Sequence, residues 1–220
     1  IDQEVGLVLK INIVNNSLKL DQMILTTDEF SKNKSNFIVF GTGGSNLGAK
    51  ALINILIGNQ KKTISFYDNI DPLDFKNFLN KFDLFNTGFI IISKSGLTAE
   101  TLSQFGCLVE VFEQKKQLKK LYKNCLVITD KNDSPLRKIA EKNNCLILDH
   151  ENDIGGRYSV FSNVGLVPAI IAGVDVKKIH LGVKDFLNKI KESSYDQYFE
   201  TSKLLTSQEI LENICCNVIM

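Results

Sequence analysis

Three segments of the 220-residue sequence gather residue types that hold small anions and stabilise moving charge. The segment 93–101, Ser93-Lys94-Ser95-Gly96-Leu97-Thr98-Ala99-Glu100-Thr101, places the hydroxyls of Ser93, Ser95 and Thr98 close together where a helix should begin. Hydroxyls beside exposed N–H groups at a helix start are what a phosphate monoester needs for several hydrogen bonds. Lys94 can add charge there, although a loop lysine is commonly just solvated. A helix cap by Ser95 or Thr98 is the plainer use of the same residues, and capping is compatible with anion binding.

The segment 41–48, Gly41-Thr42-Gly43-Gly44-Ser45-Asn46-Leu47-Gly48, has glycines that let a backbone turn tightly and approach a ligand. It lacks the Gly-Lys-Ser/Thr ending of a P-loop, and Asn46 breaks the dinucleotide spacing GxGxxG. On chemistry alone it can equally be a tight strand-to-helix turn. In the segment 152–159, Asn152-Asp153-Ile154-Gly155-Gly156-Arg157-Tyr158-Ser159, paired glycines precede an arginine. A guanidinium brought near a reacting centre stabilises a developing oxyanion. An arginine holding a surface carboxylate fits the spacing as well.

These segments have to be positioned, and the pattern around them says how. From residue 36 short β-branched apolar runs alternate with longer amphipathic stretches, the signature of βα units and a parallel sheet. Five strands are expected, at Phe37–Gly41, Thr63–Tyr67, Gly88–Ser93, Cys125–Thr129 and Cys145–Leu148. Helices are expected at Asn46–Ile57, Asp71–Lys81, Thr98–Lys120 and Ser134–Asn143. Asp71-Pro72 and Ser134-Pro135 each set a capping side chain before a proline that fits the first helical position. Further helices are expected at Phe161–Ala172, apolar nearly all round and hence buried, and at Lys177–Lys191. Each glycine- or hydroxyl-rich segment thus follows a strand, at the carboxyl edge where open α/β sheets bind ligands.

Composition narrows the alternatives. Lys and Arg number 26 against 25 Asp and Glu, so no charge footprint for nucleic acid or an anionic membrane stands out. The five cysteines, Cys107, Cys125, Cys145, Cys215 and Cys216, show no metal-ligand spacing and no disulfide framework; reduced thiols in a cytoplasmic protein are expected. No apolar run approaches the roughly 20 residues of a membrane span. The chain opens at Ile1 without a methionine and stops inside the apolar stretch 214–220, so both ends read as cuts.

The three segments together, in this order, resemble the glucose-6-phosphate isomerase family, whose core is the sugar isomerase domain. GTGGSNLGAKAL (41–52) resembles the family's first glycine loop, SKSGLTAET (93–101) its phosphate loop, and DIGGRYSVFSNVGL (153–166) its arginine-bearing segment. The resemblance implies an α/β fold: a three-layer, flavodoxin-like, doubly wound sandwich on a five-stranded parallel sheet. The resemblance runs from about Phe37 to Gly173 and implies a sugar-phosphate-binding domain over 36–175; apolar spacing, partly helical, reads 1–35 as a helical lead-in, and 176–220 is expected to be the helical start of a further part. Gly44 and Ser45 would contact the sugar, Ser93, Lys94, Ser95 and Thr98 would hold the phosphate, and Arg157 would face the reacting carbons. Leu97 departs from the family's usual threonine, and Asn163 stands where a small residue is usual; neither removes a phosphate donor.

The family's proton-transferring glutamate and the histidine and lysine tied to ring opening are expected beyond Met220; His150 and His180 match none of these. The implied reaction is aldose–ketose isomerisation of glucose 6-phosphate and fructose 6-phosphate through an enediol, without metal or organic cofactor, in a cytoplasmic homodimer that engages neither nucleic acid nor membrane. A piece ending at Met220 would be inactive alone. The rival readings are a regulator that binds phosphosugars without turnover, and the isomerase domain of a glucosamine-6-phosphate synthase; Lys94 and the arginine segment count against the latter.

Overall fold

A computed structural model of the protein describes residues 17–56, 62–81 and 83–192. The chain divides into two units, 1–176 and 177–220. In the first, helix α1 (Ser17–Ser31) leads into strand β1 (Asn36–Phe40), followed by α2 (Leu47–Leu56), β2 (Thr63–Tyr67), α3 (Pro72–Lys81), β3 (Thr87–Ile92), α4 (Ala99–Gln114), α5 (Leu118–Lys123), β4 (Cys125–Thr129), α6 (Pro135–Lys142), β5 (Leu146–Asp149) and α7 (Asn163–Ala172). Helix α8 (Val176–Glu192) carries the chain into the second unit.

All five strands are parallel, in the order β2-β1-β3-β4-β5. Parallel strands need covering on both faces, which is why β3 and β4 read as unbroken apolar runs and are buried throughout. On one face Ile38, Phe40, Phe89, Ile91 and Val127 pack under Phe78 of α3, Phe105, Leu108 and Phe112 of α4, and Leu136 of α6. On the other, Phe37 meets Phe30 of α1 at 6.0 Å between ring centroids, and α7 packs against α1 and α2. The result is the expected three-layer, doubly wound α/β sandwich.

Local chemistry sets the boundaries. Asp71 caps α3 by accepting from the N–H groups of Leu73 and Asp74 at 2.9 Å, and Ser134 caps α6 by accepting from Arg137. One helix expectation fails: Thr98–Lys120 is two helices. Lys116 takes a left-handed φ of 55°, and the N–H of Gln117 returns to the Phe112 carbonyl at 2.8 Å, closing α4 before α5 starts. Glycine or asparagine usually marks such a stop; here a lysine does the work while the apolar spacing continues on either side. Strand β1 ends one residue earlier than expected because Gly41 already belongs to the turn. The expectations for residues 1–16, Ile57 and 193–220, including Cys215 and Cys216, lie outside the described residues.

Candidate functional site

Every strand points its carboxyl end to the same edge, and the order β2-β1-β3-β4-β5 reverses between β1 and β3. The chain leaves β1 toward β2 on one side and leaves β3 toward β4 on the other, so the two connections part and open a crevice. The glycine loop lines it from β1. Gly43, at a φ of 52°, starts a single 3-10 turn over Gly43–Ser45. Asn46, fully buried, braces that turn by donating from Nδ2 to the Gly41 carbonyl at 2.8 Å. A Cβ on Gly41 would stand 3.3 Å from the Ile92 carbonyl, so the loop lies against the end of β3. Among the described residues the Ser45 hydroxyl makes no hydrogen bond, and it is only half-buried.

The hydroxyl loop lines the crevice from β3. Ser93 is buried, with its Oγ 2.8 Å from Thr98 Oγ1. Thr98 holds the position of the α4 N-cap in an extended conformation, yet no side chain caps the helix, because its hydroxyl is turned to Ser93. The first N–H groups of a 16-residue helix are thereby left for another acceptor, at its positive end. Ser95 Oγ accepts from the Leu97 N–H at 3.2 Å and is exposed. Gly96, at a φ of 63°, is packed so closely on Ser134 that a Cβ would overlap its hydroxyl. Sequence reading passed over Thr101, one turn into α4: its hydroxyl is buried and unpartnered among the described residues. The three-residue spacing from Thr98 was its only signal.

Lys94 is placed differently from its neighbours. Its ammonium donates to the carbonyls of Asn152 at 2.6 Å and Ile154 at 2.9 Å, so two of its three N–H groups are engaged by the arginine loop.

That third loop comes over from β5. Gly156–Tyr158 forms another 3-10 turn, set directly on the glycine loop: a Cβ on Gly44 would overlap the Gly156 carbonyl group. Ser159 Oγ donates to the Gly156 carbonyl at 2.6 Å and reaches the Gly44 carbonyl at 3.3 Å. Arg157 is exposed and has no ion pair or hydrogen bond among the described residues, so it holds no surface carboxylate there. A free guanidinium on the same edge as an uncapped helix start can meet a second anionic group of one ligand. His150, just past β5, is buried with Nδ1 3.0 Å from the Glu151 carbonyl; burial holds its pKa below the ordinary 6.5. His180 belongs to α8, in the second unit.

The family model of phosphoglucose isomerase matches residues 21–211. The chain belongs to that family. A protein of Methanococcus maripaludis named probable glucose-6-phosphate isomerase is 36% identical over 74% of this chain and 38% of its own length. A glucose-6-phosphate isomerase of Methanocaldococcus jannaschii is 37% identical over 81% of this chain and 39% of its own. Among solved structures, a glucose-6-phosphate isomerase from Chlamydia trachomatis superposes with a TM-score of 0.61 at 27% identity, over 69% of this chain and 30% of that one. This phosphoglucose isomerase family member therefore spans less than half the length of these relatives. No helix among its described residues is long and apolar enough to cross a membrane.

Proposed function

We propose that this chain supplies the phosphosugar-binding part of an aldose–ketose isomerase that interconverts glucose 6-phosphate and fructose 6-phosphate through an enediol. The observation that carries the reading is the seating of the arginine loop on the glycine loop, with the hydroxyl-lined start of α4 on the same edge. In this reading the phosphate is the handle. It takes hydrogen bonds from Ser93, Ser95, Thr98 and the first N–H groups of α4, while Gly44 and Ser45 meet the sugar. Binding energy from that non-reacting group holds C1 and C2 in place. Arg157 then stabilises negative charge on the enediolate oxygens, where a fixed donor is worth most. The carboxylate that moves the proton comes from the part of the relatives' length that this chain does not span. Family membership supports a homodimeric, cytoplasmic enzyme; Cys107, Cys125 and Cys145 being free thiols suits that compartment.

The test is conversion of fructose 6-phosphate to glucose 6-phosphate by the protein made from the complete reading frame. Turnover in the ordinary enzyme range of about 1–10³ per second is expected. Tight binding of 6-phosphogluconate with no conversion would replace the isomerase by a phosphosugar-binding regulator.

A further inference from the structure

The loop that carries Arg157 has a distance to cover. Strand β5 is at the sheet's edge, and β1 lies three places away with β4 and β3 between. At about 4.8 Å per strand, the chain must cross roughly 14 Å of the carboxyl edge before Gly156 meets Gly44. A crossing of this kind has no ladder of its own, so its carbonyls need donors. Lys94 supplies them from mid-way, at the end of β3, with the bonds to Asn152 and Ile154. Its own main chain is fixed from the next strand: the Lys94 carbonyl accepts from the Asp130 N–H at 3.0 Å and lies 3.3 Å from the Thr129 hydroxyl. The clasp closes on a buried residue, Ile154, and Arg157 follows three positions later.

We propose that Lys94 is a positioning residue, whose ammonium clasps the 152–154 crossing and thereby sets the place of Arg157, instead of holding the phosphate. This rests on the isomerase reading for its kinetic arm only. A ligand that steadies the Ser93–Thr98 loop steadies Lys94 and, through it, the arginine.

The experiment uses the complete-frame protein with Lys94→Met, Lys94→Arg, Arg157→Ala and the Lys94→Met/Arg157→Ala pair. Lys94→Met lowers turnover of fructose 6-phosphate by about 10- to 100-fold, the scale of a misplaced catalytic group. Its dissociation constants for 6-phosphogluconate and inorganic phosphate change by less than about threefold, because the phosphate donors are untouched. Lys94→Arg, which keeps charge and donors, recovers part of the turnover. The double variant is no slower than Arg157→Ala by more than about threefold, since both changes remove the same interaction. Amide hydrogen exchange speeds up over 151–158 in Lys94→Met and is unchanged over 99–114. A tenfold loss of phosphate affinity with additive kinetics overturns the proposal, and so does unchanged exchange over 151–158. If the parent shows no isomerisation at all, the functional reading fails, while the exchange and phosphate-binding results still decide the clasp.

Discussion

Gly44→Ala is the sharpest probe of how the two turns are fitted together. A Cβ there would overlap the carbonyl carbon and oxygen of Gly156 and stand 2.7 Å from the Arg157 nitrogen. All three atoms are main chain, so no side chain can swing aside; from the overlap at the Gly156 carbonyl carbon, the turns must part by about 1.3 Å to restore ordinary van der Waals contact. The 3.3 Å reach from Ser159 Oγ to the Gly44 carbonyl is lost, while its 2.6 Å bond to Gly156 travels with its own loop. Overpacking of this kind costs about 1–3 kcal/mol of stability. A displacement of about 1 Å at Arg157 costs up to about 100-fold in turnover. The mirror substitution is the control. A Cβ on Gly156 would meet Gly44 Cα at 3.6 Å, an ordinary contact, so Gly156→Ala is expected to stay close to the parent. Both variants are assayed for fructose 6-phosphate conversion in the complete-frame protein and for their thermal midpoints. Comparable damage from the two substitutions, or a Gly44→Ala variant within about twofold of the parent, would refute the argument.

Arg157→Ala should lower turnover about 100-fold while affinity for 6-phosphogluconate changes little, as for a group that acts on transition-state charge; equal loss in both, measured by kinetics beside calorimetry, denies it that role. Ser93→Ala and Thr98→Ala should each weaken 6-phosphogluconate binding by about 1–3 kcal/mol, because each removes a donor to a charged group; unchanged calorimetric affinity places the phosphate elsewhere. Burial pushes the His150 pKa below its ordinary value, with Lys94 adding to the effect and Glu151 and Asp130 opposing it. The unfolded chain therefore binds more protons as the pH falls below 6.5, and stability present above that value is lost toward the lower folded pKa, at up to about 1.4 kcal/mol per pH unit. Urea midpoints across this window should fall less steeply in His150→Gln than in the parent, and equal slopes contradict the assignment.

The sheet was legible because burial on both faces leaves a plain mark: β3 and β4 are runs of apolar residues with polar bounds. The caps at Asp71 and Ser134 were legible because a capping side chain before proline has few other uses. The break at Lys116 was not, since a lysine in a left-handed conformation carries no compositional sign. In the site, residue type indicated which loops hold hydroxyls but not where each side chain turns. Ser93 and Thr98 pair with one another inside their own loop, and Lys94 turns away to carbonyls 58 and 60 residues on, an outcome set by the order of the strands in the sheet and not by local sequence. Asn46 and Thr101 were passed over because a buried polar side chain looks, in sequence, like any other polar residue near a turn.

The bond from Ser159 to Gly44 joins residues 115 apart, and this has a bearing on how the protein is made. Each strand finds a neighbour already synthesised: β2 beside β1, β3 on the free side of β1, then β4, then β5. The sheet can thus grow outward as the chain leaves the ribosome. The glycine turn, by contrast, waits for its counterpart on the order of ten seconds at ordinary elongation rates. On the proposed function, the nascent chain can pair its strands before the glycine and arginine turns meet, so a phosphosugar would act on that last docking step and not on the pairing of the strands.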